Sequence, residues 1–235
     1  MGARTLYELS AADGRSLSPF VWRVKLALAK KGLPYRTVKV GYTEVTSQCG
    51  GRFRTVPILE DEGREICDSW VIADYLDETY ADRPAIFSCA AERATVRLFD
   101  AWLVGTVFPQ MLGLYALDVH DAAAEADRAY YRSTREARIG RSLEAFVAGR
   151  EERLPTVRAA LEPVRATLQV QPFLGGTEPG FADMELLATF IWVGSIGTVP
   201  LLLPDDPLAM WAQNGLNLFD AAGQGIDLNG LTGVS

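Results

Sequence analysis

The 235-residue sequence contains a single histidine, His120, and only three cysteines, Cys49, Cys67 and Cys89, with no C-x-x-C pair among them. So few soft ligands exclude the usual zinc and transition-metal sets, and no metal is expected. An odd number of widely spaced thiols also excludes a disulfide framework and a redox dithiol, which fits a reducing, cytoplasmic compartment. Positive charge is in deficit as well, with 23 Lys and Arg against 30 Asp and Glu. A nucleic-acid partner, which needs a surplus of cations, is therefore not expected. The sequence opens without a basic segment and apolar run, and Leu6 stands where a myristoylation signal needs Ser or Thr. Neither export nor lipid attachment is expected. The longest uncharged run, Leu186 to Leu203, is interrupted by Gly194, Gly197 and Pro200, so it reads as a core helix and loop, with no membrane contact expected.

What remains is an ordinary globular composition with enough length for two domains. Hydrophobic periodicity changes repeatedly up to Ala81, whereas almost everything after Ala90 has helical spacing. The expected division is residues 1–82, a linker at 83–91 beginning near Asp82-Arg83-Pro84, and an all-helical domain at 92–235. Within the first part, Thr5 to Leu9 reads as a strand and Ser10 to Leu17 as a polar loop. A helix follows from Pro19 to Lys31: Ser18 suits its N-cap, Pro19 its first turn, Gly32 its left-handed close and Pro34 its end. Tyr35 to Val40 is a second strand, parallel to the first by the usual crossover. Val56 to Glu60 and Glu65 to Cys67 form a hairpin around Asp61-Glu62-Gly63-Arg64, and Asp68-Ser69 opens a helix with Val71, Ile72, Tyr75 and Leu76 inward. In the second part, Glu92 to Leu103 and Asp127 to Val147 read as helices. Arg128, Arg132, Arg135 and Arg138 form a solvated helical face paired with nearby Glu, and Pro155, Pro163 and Pro172 break the later stretch.

The order βαβ then ββα is that of a thioredoxin-like half. Redox proteins of this fold begin the first helix with C-P-x-C; here the stretch is Ser18-Pro19-Phe20-Val21, and a serine cannot form a disulfide. Its hydroxyl can instead donate to another molecule's thiolate while the helix amides add positive potential. Taken singly, Ser18 and Asp68 read as helix caps and Arg52 and Arg54 as solvated loop charges. Together with Thr55-Val56-Pro57-Ile58, where a cis bond before Pro57 would free the Val56 backbone, they form a set suited to an extended tripeptide. Asp68 matches an ammonium and Ser69 a carboxylate. Glutathione carries both in its γ-glutamyl end.

The segments SPFVWRVKLALAKKGLPY, RTVPILEDEGREICDSWVIADYLDETY and FLGGTEPGFADMELLATF resemble the glutathione transferase superfamily. Within it, SPFVWR, CDSWVIADYLDETYADRP, LDVHD, AGREERLP and DDPLAMW are most similar to the bacterial lignin β-aryl etherases and their fungal relatives. The resemblance implies a thioredoxin-like domain followed by an all-helical domain, glutathione as cosubstrate and a homodimer. It assigns thiol activation to Ser18, with Ser16 offering a second hydroxyl, and pairing with the cysteinyl backbone to Val56. Asp68 and Ser69 take the γ-glutamyl end, and Arg54 and Pro57 complete the glutathione set. Phe20, Phe108, Met111, Tyr115 and His120 are candidates for a hydrophobic, aromatic-substrate pocket, although helical aromatics also build cores. The sequence departs from the family at Gly180-Phe181-Ala182-Asp183, where a Ser or Thr cap is usual, so only the Asp183 half of a capping box is expected. The implied activity is transfer of glutathione sulfur to an electrophilic carbon, including cleavage of a β-aryl ether. The alternative is a non-catalytic binder of hydrophobic ligands on the same fold.

Overall fold

A computed structural model of the protein describes residues 4–219, 226 and 228–233. The final stretch of the expected helical domain, residues 220–225, 227, 234 and 235, lies outside the described residues, as do residues 1–3. The chain opens with β1 (Arg4–Leu9), α1 (Pro19–Lys31) and β2 (Tyr35–Val40). A 3₁₀ turn at Val45–Gly51 leads to β3 (Ile58–Asp61), β4 (Arg64–Cys67) and α2 (Ser69–Thr79). The four strands lie in the order β2-β1-β3-β4, with β1 parallel to β2 and antiparallel to β3.

α1 keeps the bounds expected for it because its ends are fixed locally. Ser18 is extended and caps the Val21 amide, while Gly32 sits at φ 63, a conformation that a Cβ disfavours. Val21, Val24, Leu26 and Leu28 are buried, and the helix packs against α2 and against the later helix α9 (Phe181–Ile196). The hairpin differs from the expected one at both ends: β3 starts at Ile58, since Pro57 has no amide for a ladder, and Asp61 pairs with Arg64 so that only Glu62 and Gly63 form the turn. Val71 is 51% exposed, contrary to its expected inward position, while Ile72, Tyr75 and Leu76 are buried. A helix of this length buries one stripe, and the Ile72 and Leu76 positions claim it.

The helical part begins at α3 (Ala90–Trp102), passes through a π turn at Leu103–Val107 and continues without a break as α4 (Phe108–Ala122). By length and composition the combined Ala90–Ala122 helix could cross a membrane. Instead Leu103, Val107, Met111, Leu114 and Tyr115 are buried in the protein core. The expected single helix from Asp127 to Val147 is two, α5 (Glu125–Ile139) and α6 (Leu143–Val147), divided at Gly140 with φ 73. α7 (Arg150–Ala160) runs through Pro155 rather than breaking there. That proline is on the exposed face, where water can satisfy the carbonyl left without an amide. Pro163 does mark the start of α8 (Glu162–Leu168). Of the arginines expected on a solvated, Glu-paired face, Arg132 pairs with Glu136 and Glu144 as expected, whereas Arg135 lies over the rings of Tyr42 and Tyr131.

α9 (Phe181–Ile196) is the central helix, buried along nearly its whole length, followed by α10 (Pro207–Leu218) and α11 (Asn229–Thr232). Its start is held by Asp183, whose carboxylate accepts from the amides of Gly180, Leu174 and Gly175. A Cβ at position 180 would come within 2.5 Å of Glu92 Oε1. Glycine at this cap thus accommodates the α3 glutamate.

Candidate active site

The two candidate serines lie at the N-terminus of α1 and in the loop before it. Ser18 Oγ accepts from the Val21 amide at 3.3 Å, which uses a lone pair and leaves its own proton free to donate. Ser16 forms an antiparallel bridge with Ser10, and its hydroxyl is shut off from solvent with no partner among the described residues. Of the two serines, Ser18 is the one built into the helix end. The preceding loop is tied to the helical domain: the Ala12 amide donates to the Ala122 carbonyl at 2.9 Å, and Arg15 donates to the Ser195 carbonyl.

The Val56-Pro57 peptide is cis, as the sequence suggested, and Val56 is buried just outside β3. Asp68 stands at φ 83 at the end of β4, and its Oδ1 accepts from Trp70 and Val71 amides at 2.9 and 3.1 Å. The cap reading of Asp68 is therefore correct, and the exposed carboxylate keeps Oδ2 uncommitted among the described residues. Ser69 is buried as the first residue of α2, and Arg54 is exposed on the loop before Thr55.

The five pocket candidates separate. Phe20, two residues after Ser18, and Phe108 are half-buried and meet edge to face with ring centroids 5.7 Å apart. Phe108 also packs on Trp192 at 5.3 Å. Met111 and Tyr115 are fully buried, and the Tyr115 hydroxyl donates to the Val199 carbonyl at 3.0 Å. They belong to the core and offer no surface to a ligand, a consequence of facing α9 from the inner side of α4. His120 sits near the end of α4, with Nδ1 2.8 Å from Asp121 Oδ1 and its ring near Tyr131.

Sequence reasoning missed a buried ionic group behind this aromatic pair. Arg23 Nη1 donates to Glu185 Oε1 at 2.7 Å and to Asp100 Oδ1 at 2.8 Å, joining α1, α9 and α3. Burial, only partly offset by Arg23, pushes the Glu185 carboxyl up to about 9. A lone glutamate inside Phe181–Ile196, among apolar neighbours, was the available signal. The π turn just before Phe108 was also missed, since its residues have ordinary helical composition.

A thioredoxin-like sheet domain with a serine-capped α1 is joined to an all-helical domain, the two-part architecture of the glutathione transferase fold. A family model of the glutathione S-transferase N-terminal domain matches residues 14–84, and one of the C-terminal domain matches residues 94–198. A probable glutathione S-transferase GSTU1 from Oryza sativa subsp. indica is 30% identical over 200 residues, 80% of this chain and 86% of the relative. Glutathione transferase GSTFuA2 from Phanerochaete chrysosporium superposes with a TM-score of 0.78 at 26% identity, covering 97% of this chain and 100% of that one. Glutathione S-transferase CsGST83044 of Ceriporiopsis subvermispora, solved in complex with glutathione, gives a TM-score of 0.81 at 22% identity. It covers 94% of this chain and 99% of its own, and attests the fold. The chain belongs to the glutathione S-transferase family, whose homologues use glutathione as co-substrate.

Proposed function

We propose that this protein activates glutathione with Ser18 and transfers its sulfur to an electrophilic carbon of a hydrophobic aromatic substrate. The observation that carries the reading is the Ser18 hydroxyl, which accepts from Val21 and keeps its proton to donate at the positive end of α1. A free thiol with a pKa near 8.5 is only about 3% ionised at neutral pH, so full ionisation raises thiolate about thirtyfold. Acceleration beyond that factor comes from holding both reactants in position. Val56 offers its backbone to the cysteinyl unit and Pro57 sets that backbone apart from β3. Asp68 and Ser69 receive the γ-glutamyl end, and Arg54 adds a cation on the same loop. Phe20 and Phe108 form the aryl wall.

For a β-aryl ether ketone, the thiolate attacks the carbon α to the carbonyl. The new C–S bond forms as the C–O bond breaks, and the aryloxy group leaves as phenolate. No electrons are gained or lost overall. The resemblance of SPFVWR, LDVHD and DDPLAMW to etherase segments motivates this substrate class. Three free thiols suit a reducing, cytoplasmic setting. Homodimer formation is supported by an exposed small and apolar stripe on one helix, Ala94, Leu98, Ala101 and Gly105. Glutathione-dependent phenol release from a β-aryl ether ketone, measured beside turnover of an aryl halide, tests the function. Turnover of the halide alone leaves a transferase without the ether specificity, and no turnover of either overturns the catalytic reading.

A further inference from the structure

Arg23, Glu185 and Asp100 form a group with more structure than packing requires. Arg23 is 3% exposed and Glu185 fully buried, and Arg23 Nε and Glu185 Oε2 have no hydrogen-bond partner among the described residues. Replacing a buried ion pair by apolar side chains of similar volume is often neutral or stabilising, so stability alone gives little reason for such a group. Its geometry suggests another role. The Arg23 guanidinium lies over the Phe20 ring, 4.7 Å from its centroid, and Phe20 in turn meets Phe108. A planar cation on a ring face orients that ring, and Arg23 itself is held on one side by two carboxylates from the helical domain.

We propose that Arg23 is a positioning residue for the aryl half of the active site. Anchored by Glu185 and Asp100, it sets the attitude of Phe20 and so the Phe20–Phe108 wall against which an aromatic group rests. This deepens the proposed function and rests on it, because it assumes that the aryl group of the substrate meets that wall. Nη1 carries two protons and gives one to each carboxyl group, an arrangement in which Glu185 keeps its own proton. Loss of that proton draws the guanidinium off the ring. The charged groups around Glu185 are Arg23 from α1 and Asp100 and Arg97 from α3, Arg97 lying over Trp70 and 3.4 Å from Asp100 Oδ2. On α9 itself Asp183 is engaged by backbone amides, and Asp118 of α4 by Arg150 and Thr198. α10 and α11 contain no charged residue.

The test compares calorimetric affinities for S-benzylglutathione and S-methylglutathione, two thioethers, so that ionisation of the glutathione thiol does not enter. The ratio of their affinities isolates the aryl contribution, about tenfold in favour of the benzyl compound for one well-packed ring at about pH 7. Arg23→Met is expected to reduce that ratio to within about twofold of unity while S-methylglutathione affinity changes by less than about twofold. In the unaltered protein the ratio is expected to fall at least about threefold on going to about pH 10, and in Glu185→Gln, which cannot ionise, to hold at both pH values. An unchanged ratio in Arg23→Met overturns the proposal, as does an equal loss of both ligands, which makes Arg23 a general support. A fall at high pH that persists in Glu185→Gln also overturns it. If the unaltered protein binds neither thioether, the glutathione reading itself fails and this inference with it. If it binds both with equal affinity, the wall assignment alone fails.

Discussion

Arg23 on the first helix and Glu185 on the ninth meet at 2.7 Å across the two halves of the fold, in an interior where Glu185 has no exposure. Glu185 holds its proton up to about pH 9 when folded, whereas the ordinary value is 4.5. Between these values the folded state binds more protons than the unfolded chain, so raising the pH weakens folding. Denaturant titrations are expected to show stability falling as the pH rises through this window. Glu185→Gln should flatten that slope, and an unaltered slope in the variant would assign it to other groups.

Ser18→Ala is expected to leave the fold intact, since loss of a cap costs about 1 kcal/mol. Turnover should fall about ten- to a hundredfold through loss of one charge-assisted hydrogen bond to the thiolate. Because the hydroxyl favours the ionised thiol, its removal should also move the pH–rate profile upward. Ser16→Ala should retain near-normal turnover, because Ser16 lies in the bridge with Ser10 before the helix end that Ser18 caps. The reverse pattern would transfer the role to Ser16.

Asp68→Ala removes two things that can be measured separately. The Trp70 and Val71 amides lose their cap, lowering stability by about 0.5 to 2 kcal/mol. Glutathione affinity should drop by about 1.5 to 3 kcal/mol if the free carboxylate oxygen meets the ammonium. Asp68→Asn, which keeps a cap acceptor, separates the two: restored stability with still-weakened binding is the expected result. Full recovery of binding would confine Asp68 to its cap.

Leu98 is 73% exposed on the stripe that also carries Ala94 and Ala101. A glutamate there would bury charge if two copies meet through this face. Leu98→Glu is expected to convert a sedimenting dimer to a monomer with helical content unchanged. A dimer that survives the substitution would place its interface elsewhere.

The sequence by itself determined the elements whose ends are set by neighbouring residues. α1 runs from Pro19 to Lys31 because Ser18, Pro19, Gly32 and Pro34 act within one turn of the chain. The cis peptide before Pro57, the Asp68 cap and the Asp183 half-box were legible on the same local grounds. Tertiary structure decided which residues of an apolar helix face the site and which face the core. Met111, Tyr115 and Phe108 share helical spacing, yet the first two are fully buried and Phe108 meets Phe20. It also decided that β3 starts after Pro57 and that Val71 faces outward. The Arg23–Glu185–Asp100 group spans 162 positions between Arg23 and Glu185, and its charges are tolerable only because folding sets them against one another. A single sequence records the cost of burying each charge, whereas the compensating partner across the core is chosen by the packing of α1 on α9.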